Sequence, residues 1–257
     1  MKRLDLAIPT GIILGLAAIG GAAYLEGIKL AFLWQPAALL VVAGGTIGAV
    51  VVRRGLLGSF VAMRAAASLL RHDDGAAEHE LLIARLSWIA RATRREGVQV
   101  LERQAEASSD LLVKRALTLA AEMAPPDEVA AQLERILEDE HEAGQRDAAT
   151  IEACGGFAPT FGILGAVLGL IQVLRSLADP QALGSGIATA FVATIYGVGL
   201  ANLVLFPVAA RMRARHQTRM RQRGMLARAL GALAAQETPS QIARHFQPAA
   251  GFSSAPN

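Results

Sequence analysis

The 257-residue chain has one cysteine, two tryptophans, two tyrosines and only 18% charged residues. The single Cys154 excludes an intrachain disulfide framework, and its place at the edge of an apolar run suits a small packing residue. No Gly-x-x-x-x-Gly-Lys-Ser/Thr loop occurs, which excludes the phosphate cradle of an ATPase. No Cys/His set has metal-ligand spacing, and the five histidines suggest no Ser/His/Asp arrangement. The chain is therefore not expected to be an enzyme, nor to hold a cofactor or metal. What it has instead is apolar aliphatic sequence: 53% of residues are hydrophobic, unusual for a soluble domain and ordinary for a multispanning membrane protein.

The most telling absence is of charge within long stretches. Residues 6–24, 36–52, 155–174 and 186–210 contain no Asp, Glu, Lys, Arg or His. A helix crossing a bilayer needs about 20 apolar residues, and these runs are of that order. With no ionisable group at membrane depth, the chain is not expected to form an ion pathway by itself. The first run follows Met1-Lys2-Arg3 as a signal peptide would, but its apolar stretch is too long and reaches an acidic turn at Glu26.

Lys and Arg placement sets orientation. Lys2 and Arg3 precede span one, Arg53 and Arg54 follow span two, and seven arginines from Arg211 to Arg228 follow span four. The connectors near 25–35 and 175–185 hold Lys29 and Arg175 alone. Both termini and the region 53–154 are thus expected in the cytoplasm. The fold class is all-α, a polytopic membrane protein with four transmembrane helices and a helical cytoplasmic domain. Its expected divisions are 1–52 (spans one and two), 53–154 (cytoplasmic domain), 155–210 (spans three and four) and 211–257 (basic helix and disordered tail).

Within 53–154 the apolar spacing is helical. Leu81, Leu82, Arg85, Leu86, Ile89 and Ala90 fall near one face, as do Leu111, Leu112, Arg115, Ala116 and Leu119. Pro125-Pro126 ends one helix, and Asp127 or Glu128 in the next first turn suits the helix dipole. That helix runs over 127–150 toward span three. The run Glu138-Asp139-Glu140-His141-Glu142 reads either as a solvated face or as a docking surface for a charged partner. Helix 211–236 is basic without aromatics, which favours anionic headgroups over nucleic acid. Residues after Thr238, rich in Pro, Ser and Gln, read as a disordered tail.

Spans three and four carry small and hydroxyl residues at helical spacing. Ala158, Gly162 and Ala166 share a face, as do Gly165 and Gly169. Ser185, Thr189, Ala193, Gly197 and Ala201 form one stripe, and Gly186, Ala190, Thr194, Val198 and Asn202 the next. Such stripes admit close approach of another helix. The hydroxyls and the Asn202 amide either line a hydrated path or bond their own preceding turn. Pro159 and Pro207 interrupt the helix ladder, as hinges or as terminal residues.

The segments Gly155-Gly-Phe-Ala-Pro-Thr-Phe-Gly-Ile-Leu-Gly-Ala-Val-Leu-Gly-Leu170 and Gly184-Ser-Gly-Ile-Ala-Thr-Ala-Phe-Val-Ala-Thr-Ile-Tyr-Gly-Val-Gly-Leu-Ala-Asn202 resemble spans three and four of the MotA family. These are flagellar motor stator subunits within the wider MotA/TolQ/ExbB proton-channel group. Asp5-Leu6, Leu25-Glu26-Gly27, Gln35-Pro36 and Val42-Ala43-Gly44-Gly45-Thr46-Ile47-Gly48-Ala49 resemble the family's first two spans. The resemblance implies a pentamer in the bacterial inner membrane, around the transmembrane helices of a MotB-like dimer. That partner supplies the ion-binding aspartate, and also the plug that closes the channel before assembly. The cytoplasmic domain would push on the rotor protein FliG.

The resemblance also implies roles. Pro159 and Pro207 match prolines that couple ion flow to motion, and Thr194 matches a threonine near the ion path. Thr160, Ala166, Thr189, Ala193 and Tyr196 lie in the same matching segments and are expected along that path. Arg94 and Glu102 match the basic and acidic rotor-facing positions, with Arg91 or Arg95 as alternatives to Arg94. Ala166 and Ala193 stand where sodium-driven relatives carry Thr. Na⁺ needs several oxygen ligands, whereas a proton needs the partner carboxylate alone, so H⁺ is expected. Three other readings compete: a sodium-driven PomA-like stator, an ExbB/TolQ-like energiser and a passive scaffold. The energisers have a single span before the main cytoplasmic domain, and this chain has two.

Overall fold

The computed structural model describes residues 7–28, 30–70, 75–175 and 180–245. Every regular element among the described residues is helical. Ala7–Leu25, Ala31–Leu70, Pro126–Arg175 and Leu183–Ala234 are each long and apolar enough to cross a membrane. They contain expected spans two to four and residues 7–24 of span one, whose expected first residue, Leu6, lies outside the described residues. Lys2, Arg3, Asp5, Lys29 and the tail from 246 lie outside the described residues.

The chain divides into two compact units, Met1–His72 with Gln145–Ala214, and Asp73–Gly144 with Arg215–Asn257. These bounds differ from the sequential division expected from charge. Residues 53–72 and 145–154 belong with the spans, and most of the basic C-terminal helix belongs with the charged domain.

The first unit begins with α1 (Ala7–Leu25) and α2 (Pro36–Leu39). Pro36 opens α2, where a missing N–H costs nothing. A π-helical turn, Leu40–Gly44, leads into α3 (Gly45–Ala67). Gly55 breaks α3 with φ 76°, a conformation that disfavours any side chain. The Ser59 hydroxyl donates to the Gly55 carbonyl at 2.8 Å and steadies the break. Past it, Ala62 and Leu69 are buried with Ala148, Ile151, Ala209 and Met212. That apolar contact is why the charged flanks of the spans stay with them. Arg54, just before the break, donates to Asp147 Oδ1 and Thr150 Oγ1, each at 2.8 Å, and to the Arg146 carbonyl at 2.5 Å. A second ion pair joins Arg213 to Glu152.

α7 (Pro126–Arg175) is a single 50-residue helix with Pro159 in its interior. The terminal reading of Pro159 is therefore wrong. α8 (Pro180–Gly199) passes through a π-helical turn, Leu200–Leu205, into α9 (Phe206–Ala234). Pro207, the second residue of α9, has no N–H, and in a regular helix its ring meets the carbonyl four residues back. The wider turn before it relieves that clash.

The second unit packs α4 (Gly75–Glu96), α5 (Gln99–Glu106), α6 (Leu111–Ala121), the start of α7, the end of α9 and α10 (Pro239–Arg244). Ile89, Leu112, Leu117, Val129, Leu230 and Ile242 are fully buried at its centre. Leu81 and Leu111, expected on the core faces, are exposed. Of the face expected on α6, Leu112, Ala116 and Leu119 are buried, together with Val113, Leu117 and Ala120. Asp110 caps that helix by accepting from the Leu112 and Val113 N–H groups. α10 stands where a disordered tail was expected. Its Thr238 is capped by Gln241, whose Oε1 accepts the Thr238 N–H at 2.8 Å.

Candidate functional site

Glycine and alanine bring α7 and α8 into backbone contact. A Cβ on Gly197 would lie 2.6 Å from the Ala158 carbonyl oxygen and 3.1 Å from Pro159 Cα. One on Gly162 would lie 2.9 Å from the Ala193 carbonyl oxygen, and one on Gly169 2.7 Å from the Ala190 nitrogen. Ala158, Ala193 and Ala201 are buried completely. Much of the small-residue pattern is thus a packing seam. The same seam explains why Pro159 is tolerated: its turn is held from the side by Gly197.

Away from the seam the two helices present an apolar surface. Ile163, Val167, Phe191 and Val198 are each exposed by 45% or more. Thr160 and Asn202 are also exposed, and Ala166 and Thr194 partly so. The Thr160 hydroxyl donates to the Phe157 carbonyl at 2.7 Å, and Thr194 to the Ala190 carbonyl at 3.4 Å. Asn202 Nδ2 donates to the Val198 carbonyl at 2.9 Å. These donors are spent within their own helix, while each side-chain oxygen keeps acceptor capacity.

The expected path residues do not form one cluster. Pro159, Ala193 and Thr194 come together with Gly162 and Gly197 at one level of the seam. Ala193 is sealed inside it against Gly165. Thr189 and Tyr196 serve elsewhere. The Tyr196 hydroxyl donates to the Leu33 carbonyl at 2.5 Å and accepts the Gln35 N–H at 3.2 Å. The Thr189 hydroxyl reaches Gln35 Oε1 at 3.3 Å and the Ser185 carbonyl at 3.0 Å. Both hold the connector between spans one and two against α8. Gln35, which sequence reasoning gave no role, is the hub of that joint. Its signal was a lone amide before a helix-opening proline. Pro207 is exposed and stands apart.

In the second unit Arg94 is not free. Its guanidinium donates to the Gln236 and Glu237 carbonyls at 3.1 and 3.0 Å. Gln236, with φ 61°, turns the chain just past α9. The arginine there meets unfilled carbonyls and the negative end of the helix dipole. Arg91, Arg95 and Glu102 are exposed and form no ion pair among the described residues. Arg94 is exposed as well, and of the three arginines it is the one whose guanidinium is engaged in hydrogen bonds among the described residues.

The acidic run of α7 also turns partly inward. Arg223 is 13% exposed and pairs with both Asp110 and Glu140. Its Nε lies 2.9 Å from Glu140 Oε2, and one terminal nitrogen 3.1 Å from Asp110 Oδ1. Burial would raise the Asp110 carboxyl, but Arg223 and the Val113 and Leu112 N–H groups outweigh it and hold it below the usual carboxylate range. His141 and His216 stack with centroids 5.3 Å apart, and partial burial holds the His216 imidazole below its ordinary range. No group of three or more His, Cys, Asp or Glu among the described residues is placed to hold a metal.

Comparison with known proteins agrees with this architecture. The MotA/TolQ/ExbB proton channel family model matches residues 104–225. Motility protein A of Bacillus subtilis is 30% identical over 219 residues, covering 84% of this chain and 80% of that protein. Chemotaxis protein PomA of Vibrio alginolyticus is 29% identical over 209 residues, 81% of each. The flagellar MotAB stator complex from Bacillus subtilis matches with a TM-score of 0.76 at 28% identity, covering 93% of this chain and 95% of that one. Four apolar helices, a glycine seam between the last two and a relative of this similarity along most of its length establish that the chain belongs to the MotA family.

Proposed function

We propose that this chain is a flagellar motor stator subunit that, with a MotB-like partner, conducts protons and turns ion flow into torque on the rotor. One observation carries the reading. The four spans hold no ionisable side chain, while α7 and α8 are locked together by backbone contact and turn an apolar, hydroxyl-dotted face outward. Such a wall suits a carboxylate brought by another protein. Ionised, that carboxylate is costly against the wall; protonated, it passes. Each charge moved through the membrane potential supplies about 2.3 kcal/mol per 100 mV. That energy biases a rotation when the subunits have states of differing carboxylate affinity.

The same reading places the chain in the bacterial inner membrane as a pentamer, with lipid around it and both termini in the cytoplasm. Its choice of H⁺ rests on Ala166, because the buried Ala193 has no open face to offer an ion. The exposed Arg91, Arg95 and Glu102 meet FliG, and Arg94 positions α4, which carries the two arginines, by fastening it to the residues just past α9. Thr194 is the hydroxyl nearest the seam at path level. Thr194→Leu is expected to abolish swimming while the variant still co-purifies with its partner, and Thr194→Ser to restore it. A Thr194→Leu strain that swims at wild-type speed removes Thr194 from the path.

A further inference from the structure

An open groove of about 590 Å³ lies between span one and spans two and four, with Leu16 and Ile195 on its walls 58% and 42% exposed. We propose that it holds the acyl tail of a membrane phospholipid, a reading that rests on the four helices spanning the bilayer. Its walls are carbon nearly throughout, with Leu16 and Ile19 from α1, Val42 from span two, and Leu200 and Leu203 from span four. The Tyr196 hydroxyl at its edge is already engaged, donating to Leu33 and accepting from Gln35. Water needs two to four polar partners, and beyond Tyr196 the lining offers the Trp34 indole N–H at its rim.

The shape favours an extended tail. On span four the lining runs from Ile195 to Val204. Nine residues at a helical rise make about 13 Å, close to half the hydrocarbon thickness of a bilayer. Toward one end Leu203 packs on Gly15, where a Cβ would come within 2.7 Å of that leucine, and the lining continues to Ile12 and Val204. The other end is marked by Trp34, 67% exposed, whose indole N–H has no partner among the described residues. An indole at that level can donate to a lipid ester or phosphate.

The space is open to side chains that the chain does not use. A Cβ built on Gly20 or Gly199, both in the lining, meets no heavy atom within 4 Å. Both π-helical turns, Leu40–Gly44 and Leu200–Leu205, contribute to the border. The tail thus packs against the two helices where their hydrogen-bond ladders are widened.

The test is photolabelling of the full chain with its MotB-like partner in vesicles of phosphatidylethanolamine and phosphatidylglycerol. A trace of phosphatidylethanolamine carrying a diazirine in its tail is the probe, and adducts are mapped by peptide mass spectrometry. Leu16, Ile19 and Leu203 are expected to label as Ile13 and Leu14 do, which face outward on α1. Filling the groove by Gly20→Leu with Gly199→Leu is expected to cut label at the first three by about tenfold, as for a tenfold loss of affinity. Ile13 and Leu14 should be unchanged. Gly20→Leu alone replaces the double variant if the latter fails to co-purify. Absent label in the wild type at Leu16, Ile19 and Leu203 beside labelled Ile13 and Leu14 overturns the tail but leaves span one in the bilayer. So does label at those three that survives filling. Loss of label at Ile13 and Leu14 as well would defeat the membrane-spanning reading itself.

Discussion

Cells whose only copy of this chain carries Gly197→Val will not swim, and the variant will co-purify with its partner in far lower yield. A first side-chain carbon at this position already meets the Ala158 carbonyl oxygen at 2.6 Å and two backbone Cα atoms at 3.1 Å. Backbone cannot rotate aside as a flexible side chain can, so α7 and α8 must separate. Overpacking of a tight contact costs about 1–3 kcal/mol, and the backbone neighbours put this case at the upper end. Separation also breaks register at Gly162 and Gly169, which depend on the same approach. Gly11→Val, at a glycine with no heavy atom within 4 Å, is the matched control and should retain yield. Normal swimming by Gly197→Val would show that the seam is not the rigid contact described here.

Arg223→Ala is expected to destabilise the cytoplasmic unit by about 2–3 kcal/mol. Breaking a buried ion pair costs about 3–5 kcal/mol. The side chains of Asp110 and Glu140 are 37% and 36% exposed, so water compensates part of their loss. Arg223→Lys should recover some of the stability, because one ammonium cannot match two forked contacts. The cluster also sets an acid limb. A carboxyl held below its unfolded value stabilises the fold above that value, near 4, and the contribution fades as pH falls through the folded value. Thermal melts of the purified complex from about pH 7.5 down to about pH 3, a range that takes in the ordinary carboxylate titration, should show a shallower acid decline in Arg223→Ala. A variant with unchanged melting at neutral pH would mean that the cluster contributes nothing to stability.

The spans were legible because their medium leaves so few alternatives. A run such as 186–210, without one charge, has few places to go except a bilayer. The glycine stripes were equally visible, but their use was not. Ala193 and Thr194 are adjacent in sequence, yet the seam takes one side chain wholly and leaves the other partly open. The place of the C-terminal helix is written in its apolar spacing, which its charge obscures. Its many arginines suggested headgroups, while Leu226, Ala229, Leu230 and Leu233 repeat at core spacing and are all buried. Thr238-Pro239-Ser240-Gln241 likewise carried the signature of a capped helix start.

Other features could not be read at all. Arg94 meets carbonyls more than 140 residues away, freed by a left-handed Gln236. Gln35 meets Tyr196 across 161 residues. Such contacts depend on tertiary placement, which local propensity and periodicity do not encode.

Proton flux decides the central claim most directly. Cytoplasmic pH is followed in cells expressing this chain alone, and together with a MotB-like partner whose plug segment has been removed. Acidification that needs both chains, and that disappears when the partner's membrane aspartate becomes asparagine, is the predicted result. Flux that requires Na⁺ would overturn the choice of ion. No flux through a folded, co-purifying complex would contradict the account and leave the chain a scaffold.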